Sequence, residues 1–367
     1  MSREHTPRTL SRRTLGKAAL AALAAPPLLA ACGDDSGSGG GDAKTLIVRS
    51  TPGGAFGKAN MDAIFQPFMD QTGIEVVLIP DDTTVLAASV KAGSPKCDIV
   101  DIGEASFIAL QAQDALEPLD YAKLTGFDRA DLVEDGAQAN YVARFVSAAV
   151  LAYRTDVFPA GNAFQSWADF FDVKRFPGAR SVSDYSVNAQ PPLEAMLLGA
   201  GVPPAQVYPI DLDKALAGLT SIRPSIKTLF ASSTQATQLL QQKEIVAVPL
   251  ANGQAQTLID GGDPVGIVWN QAIRQRQCLG ILKGSTKADL AHQLIDFALR
   301  PEVQAAFSSK IAYGPTNTKA FDTLAPDAVK KLPNNPEWAD SGMERSEQWW
   351  SENASAVQEA WTAWKAS

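Results

Sequence analysis

Between Leu46 and Ala115, strand-like and helix-like segments alternate in strict succession, and that order restricts the chain to few architectures. Leu46-Ile47-Val48 is a short apolar strand that stops at Thr51-Pro52-Gly53-Gly54. Met61, Ile64, Phe65, Phe68 and Met69 then recur at the spacing of an amphipathic helix. Thr72-Gly73 ends that helix, with glycine where the chain can turn left-handed without penalty. A strand from Ile74 to Ile79 is bounded by Pro80, a helix runs from Thr83 to Lys91, a strand from Cys97 to Ile102, and a helix from Ala105 to Ala115. The order β-α-β-α-β-α predicts an α/β fold with a mainly parallel sheet and helices on both faces. Ligands of such sheets sit beyond the carboxyl ends of the strands. The Gly53-Gly54 loop and the loop Gly103-Glu104-Ala105-Ser106 fall on that rim.

Later segments repeat the theme without a composition break. Val146 to Ala152 reads as an extended crossing strand, Trp167 to Phe171 as a helical turn and Arg180 to Val182 as a strand. Leu193–Leu198, Asp213–Ile222 and Thr234–Gln241 read as helices, and Ile245–Pro249, Val265–Trp269 and Cys278–Leu282 as strands. Helices over Lys287–Leu299 and Glu302–Ser308 follow, and a Trp-rich helix from Ser346 to Trp364 closes the chain.

The first residues belong to targeting rather than to the fold. Ser11-Arg12-Arg13-Thr14-Leu15-Gly16-Lys17 is a twin-arginine pattern, followed by a weakly hydrophobic Ala/Leu run that stops at Leu29-Ala30-Ala31-Cys32. Basic segment, short apolar stretch and small residues before a cysteine describe a lipoprotein signal over 1–31, exported by the Tat route. Pro26-Pro27 interrupts the apolar run, which is shorter than the roughly 20 residues of a membrane span. The mature chain is expected to start at Cys32, lipidated there and held at a membrane on the periplasmic or cell-surface side. The Gly, Ser and Asp of 32–43 form a flexible tether.

The formal net charge is −8, and loss of the leader removes five cations and one carboxylate, so the mature body is more acidic still. With no basic block after the leader, nucleic acid is not an expected partner. Cys97 and Cys278 could pair in an oxidising compartment or stay as buried thiols, and both readings remain open. His292 is the only histidine after the leader, on an expected helix, so neither a metal centre nor a Ser-His-Asp set can be assembled around it. Cys97 is the one nucleophile an enzyme on this scaffold could use, and it lacks an evident base. The chain is therefore read as a non-enzyme with no cofactor.

Several segments, in order along the chain, resemble the polyamine-type (spermidine/putrescine-like) branch of bacterial ABC-importer substrate-binding lipoproteins. They are Gly53-Gly54, Gly73-Ile74-Glu75-Val76, Leu116-Glu117-Pro118-Leu119-Asp120, Ala152-Tyr153-Arg154-Thr155-Asp156, Trp167–Phe171 with Phe176-Pro177-Gly178, Asn252-Gly253, Tyr313-Gly314-Pro315-Thr316-Asn317 and Trp349-Trp350 with Glu352-Asn353. The resemblance implies a two-lobed type II periplasmic-binding-protein fold. Each lobe would be a mainly parallel sheet flanked by helices, joined by hinge strands that close the lobes on a solute. It places lobe 1 at 44–147 and 278–320 and lobe 2 at 148–277 and 321–367. It also implies a monomer that delivers its solute to an ABC permease, or else presents it to a membrane sensor.

Residues on the cleft-facing loops are the candidate ligand contacts. Gly53, Gly54 and Ala55 would offer backbone amides, or simply form a turn. Phe56 either covers an apolar part of the solute or joins the core. Glu104 could pair with an ammonium beside Ser106, and Asp184 and Tyr185 follow a second-lobe strand. Asn252 and Gln254 could bond polar groups, with helix capping as the plain alternative for Asn252. Trp269, Asn270 and Gln271 lie near the expected hinge, and Tyr313 could pack its ring on the solute. Protonated polyamines need carboxylates and aromatic faces. Ser50-Thr51-Pro52 has no Trp, Asn188–Pro192 no acid, and Asn252 follows Ala251 rather than an aromatic. A mixed polar cleft suits a smaller or zwitterionic amine, an amino-acid derivative or an opine-like compound. No cluster of arginines stands beside a helix start in the sequence to argue for an anion.

Overall fold

The computed structural model describes residues 44–185 and 192–367. The expected leader, Cys32, the tether and residues 188–191 of the acid-free stretch lie outside the described residues. The described chain is a mixed α/β structure around one ten-stranded sheet. Its strands are β1 Thr45–Arg49, β2 Glu75–Ile79, β3 Ile99–Gly103, β4 Tyr141–Arg154, β5 Arg180–Ser183, β6 Ile226–Phe230, β7 Ala247–Ala251, β8 Val265–Ile281, β9 Gly314–Pro315 and β10 Met343–Glu344. The order across the sheet is β2-β1-β3-β8-β4-β7-β5-β6, with β9 on β4 and β10 on β8. At one end β1 pairs parallel to β2 and β3, and at the other β5 pairs parallel to β6 and β7. Between these two lobes run β4 and β8, antiparallel to each other.

Alternation along each strand builds a core on both faces of each lobe. Leu46 and Val48 pack with Ile64, Phe68 and the helices Ala288–Ala298 and Pro301–Ile311, whereas Ile47 faces Val100, Phe107 and Cys278. In the second lobe Ala149 and Leu151 join Trp167, Phe170, Trp350 and Trp361, while Ala148, Val150 and Ala152 meet Phe230, Leu240 and Leu250. The terminal tryptophans thus pack the second lobe.

The expected breaks between Val265–Trp269 and Cys278–Leu282 do not exist: β8 is one strand of 17 residues. Its middle reads as a loop because Gln275-Arg276-Gln277 is polar, and it is polar because it crosses open space between the lobes. Val268 pairs with Leu151 and Ile273 with Ala149, so four residues of β8 stand opposite Val150 alone. Gln271 lies inside this bulge with φ +62. Its carbonyl accepts the Trp167 indole N–H at 2.9 Å, and its amide donates to the Ser341 carbonyl at 2.9 Å. β6 was not legible as a strand, since Ile226-Lys227-Thr228 lies at the sheet edge with Lys227 exposed and neither neighbour fully buried. Cys97 and Cys278 are both buried free thiols.

Candidate functional site

A cavity of about 590 Å³ opens along the gap between the ends of β3 and β10, where the edge of β8 is uncovered. Two pairing sets frame this gap. β3 holds β8 from Gln277 onward and β10 holds it at Ile273–Arg274, leaving Gln275 and Arg276 between them. Successive side chains of β8 then point to opposite faces. Ser147 and Gln277 line this cavity alone, while Val146 and Arg274 line only a second pocket of about 340 Å³ on the other face. Gln275, Arg276, Arg345 and Glu347 border both.

Three arginines reach the large cavity, a cluster invisible in the sequence because its members are far apart. Arg49 ends β1, donating from Nε to the Asp81 carbonyl at 2.8 Å and from Nη1 to the Asp101 carbonyl at 3.2 Å. Burial lowers its pKa below the ordinary arginine value, with Asp101 opposing. It forms no ion pair among the described residues, so its remaining donors face the cavity with full charge. Arg276 is held in a fork by Glu104, Nε to Oε2 at 2.6 Å and Nη2 to Oε1 at 3.1 Å. Arg345 donates from Nη1 to Glu347 Oε2 at 3.0 Å and lies 3.7 Å from Glu194 through Nε, with its guanidinium 4.6 Å over the Trp350 ring. The C-terminal helix Glu347–Ala366, N-capped by Ser346, brings Glu347, Trp350, Ser351 and Ala354 into the wall. Ala105, Ser106 and Ala109 of the helix Glu104–Ala112 line the wall from the first lobe.

Of the residues singled out from the sequence, Ser106 and Tyr185 line the cavity, the Tyr185 ring tilted against Trp350 with ring centroids 5.4 Å apart. Glu104 borders the second pocket rather than this cavity. It is buried, committed to Arg276 and receives the Tyr141 hydroxyl at 3.3 Å. Gly53 and Gly54 are exposed at the start of the helix Gly54–Asn60, and Thr51 rather than either glycine reaches the wall. Ala55 and Phe56 pack on the first-lobe core, Phe56 against Phe145 at 5.7 Å. Asp184 accepts the Trp361 indole N–H at 3.0 Å and Lys365 at 2.6 Å, away from the cavity. Trp269 stacks on Trp338 at 4.9 Å, and Gln271 belongs to the β8 bulge. Tyr313 is buried and stacks on Phe145 at 4.9 Å, where burial raises its hydroxyl pKa. Gln254 follows on the helix Asn252–Asp260, outside the wall.

Asn252 does not cap that helix. Its Oδ1 accepts the Ala148 amide at 3.0 Å and its Nδ2 donates to the Ala312 carbonyl at 2.7 Å, tying β4 to the turn before β9. Asn252→Ala leaves two buried backbone groups unpaired, and the expected loss is about 2 kcal/mol of stability by urea denaturation with an unchanged m-value.

The nucleophile and the histidine are both structural. Burial pushes the Cys97 thiol up to about 12, far from thiolate at neutral pH. His292 Nε2 accepts the Asp120 amide at 2.9 Å while Nδ1 donates to the Ala288 carbonyl at 2.7 Å, leaving neither nitrogen for chemistry. No helix among the described residues is long and apolar enough to cross a membrane.

A family profile described as bacterial extracellular solute-binding protein matches residues 63–337. The gamma-aminobutyric acid-binding protein of Pseudomonas aeruginosa is 28% identical over 321 residues, 86% of this chain and 89% of that protein. An ABC transporter substrate-binding protein from Bradyrhizobium japonicum superposes with a TM-score of 0.79 at 33% identity, covering 87% of this chain and 98% of the other. The binding protein AgtB of A. tumefaciens R10, solved with agropinic acid, gives 0.77 at 29% identity over 88% and 99% of the two chains.

Proposed function

The chain belongs to the bacterial extracellular solute-binding protein family, and we propose that it is the lipid-anchored receptor of an ABC importer for a small acid that also carries an amine. In this reading the mature protein is a monomer tethered through Cys32 after Tat export. It closes its lobes on the solute and hands it to a permease. The observation that carries the solute class is Arg49: a guanidinium held by two backbone carbonyls, with no ion pair among the described residues, in the wall of the cavity. A carboxylate would satisfy its free donors with charge-assisted bonds, whereas a polyamine would meet it as a like charge. Amino-acid derivatives and opine-like acids therefore fit better than spermidine or putrescine. The relatives that bind gamma-aminobutyric acid and agropinic acid support the same class.

A thermal-shift panel on the purified protein tests this. γ-Aminobutyrate or an opine acid at a hundredfold excess over its Kd is expected to raise the midpoint by about 5 °C, with no response to spermidine. A response to spermidine alone would overturn the acid reading. Native mass spectrometry of protein purified without denaturation would weigh any solute carried from the cell.

A further inference from the structure

The buried charges around Arg345 do not balance. Glu104, Glu194 and Glu347 are all less than a tenth exposed, and the guanidiniums among them are Arg276 and Arg345. Glu104 takes the fork of Arg276. Glu194, from the helix Pro192–Gly199, is closed off from the cavity: its Oε1 accepts the Tyr208 hydroxyl and the Trp350 indole N–H, each at 2.6 Å, and its Oε2 is buried without a hydrogen-bond partner among the described residues. Arg345 is shared between Glu194 and Glu347. Glu347 is thus left with part of one cation, on Oε2, while its Oε1 has no hydrogen-bond partner among the described residues. It is also the carboxylate of the three that borders the large cavity. A buried carboxylate short of a counter-charge takes up a proton.

We infer that Glu347 is the residue that selects a cationic nitrogen in the cleft, and that it releases a proton to solvent when that nitrogen arrives. This deepens the receptor reading above and rests on it. The incoming ammonium keeps its own protons and supplies the missing positive charge, so the carboxyl group ionises and its proton leaves for bulk water. Arg49 on β1 and Glu347 on the C-terminal helix then hold the two ends of one zwitterion from opposite lobes. Burial, reinforced by Glu104 and Glu194 and opposed by Arg345 and Arg276, pushes the Glu347 carboxyl up to about 7. The proton is therefore exchanged near neutrality. Affinity follows the ionised fraction of the empty protein, rising about tenfold from pH 6 to pH 8.

Calorimetry of γ-aminobutyrate binding in two buffers of different ionisation enthalpy decides the matter. Wild-type protein is expected to release about 0.9 proton per solute at pH 6 and almost none at pH 8.5. Glu347→Gln should bind at least about tenfold more weakly at pH 8, release no proton and show no pH slope, whereas Glu194→Gln should keep the slope. Buffer-independent heats for the wild type, or a slope that survives in Glu347→Gln, would sink the inference and leave the receptor reading standing. Wild-type silence toward γ-aminobutyrate and opine acids would sink both. The empty protein supplies a ligand-free check. Because the folded-state pKa lies above the ordinary 4.5, the stabilising contribution of Glu347 is full below pH 4.5 and is lost as pH rises through 7. The midpoint of the wild type should therefore fall by about 5 °C more than that of Glu347→Gln between pH 5 and pH 8.

Discussion

Arg144→Met is expected to cost about 3–5 kcal/mol of folding stability, the largest effect of any single substitution considered for this protein. Arg144 on β4 is 2% exposed and its partner Asp101 on β3 is 0% exposed. Nη2 reaches both carboxylate oxygens, at 3.2 and 2.9 Å, and the guanidinium lies 4.8 and 4.9 Å over the rings of Phe145 and Phe307. The other Asp101 contacts come from Ser50 Oγ at 2.9 Å and Gln277 Nε2 at 3.3 Å, so one carboxylate fastens the ends of β1, β3, β4 and β8 together. Removing the arginine leaves that carboxylate buried with two weak neutral donors. The double variant Arg144→Met/Asp101→Asn removes both charges and keeps the acceptor for Ser50, so it should recover much of the loss. Urea denaturation of the two variants separates the explanations. If the double is as unstable as the single, the cost lies in packing and not in charge.

Arg49→Gln is expected to weaken binding of an acidic solute about 100-fold, in keeping with loss of a charge-assisted bond in a shielded site. Glutamine can still reach a backbone carbonyl, so the unfolding midpoint should move little. Lysine should not rescue affinity, because a single ammonium cannot reproduce the fork that holds two backbone carbonyls and a ligand carboxylate at once. Titration calorimetry with γ-aminobutyrate reads the effect. Wild-type affinity in Arg49→Gln would remove Arg49 from the site and with it the acid reading.

Much of the fold was legible because its signals are local. Met61, Ile64, Phe65 and Phe68 repeat at helical spacing within one segment, and Gly73 terminates that helix with φ +69. β8 was misread because the usual sign of a strand is burial, and its central residues cross a cleft instead. The site was less legible for a related reason. Arg49, Arg276, Arg345 and Glu347 are separated by up to 298 positions (49 to 347) and meet only because β1, β3 and β10 end where the middle of β8 passes through one gap. Each looks alone like an ordinary surface charge. The loops expected to hold ligand lie beside that gap, yet Asn252 and Tyr313 turned out to be struts behind the hinge, since a polar residue after a strand can as readily satisfy buried backbone.

The wall of the cavity draws on Arg49 near the start of the folded body and on Ala354 within the last helix. During synthesis, a chain growing from its amino end exposes the first-lobe strands while the sequence for the Glu347–Ala366 helix is still inside the ribosome. Domains tend to fold as their sequence emerges, but this cavity has no complete wall until the Glu347–Ala366 helix has emerged. A stop codon before residue 347 would consequently yield a product with all the strands of its sheet but without Glu347, Trp350, Ser351 and Ala354 in the cavity wall.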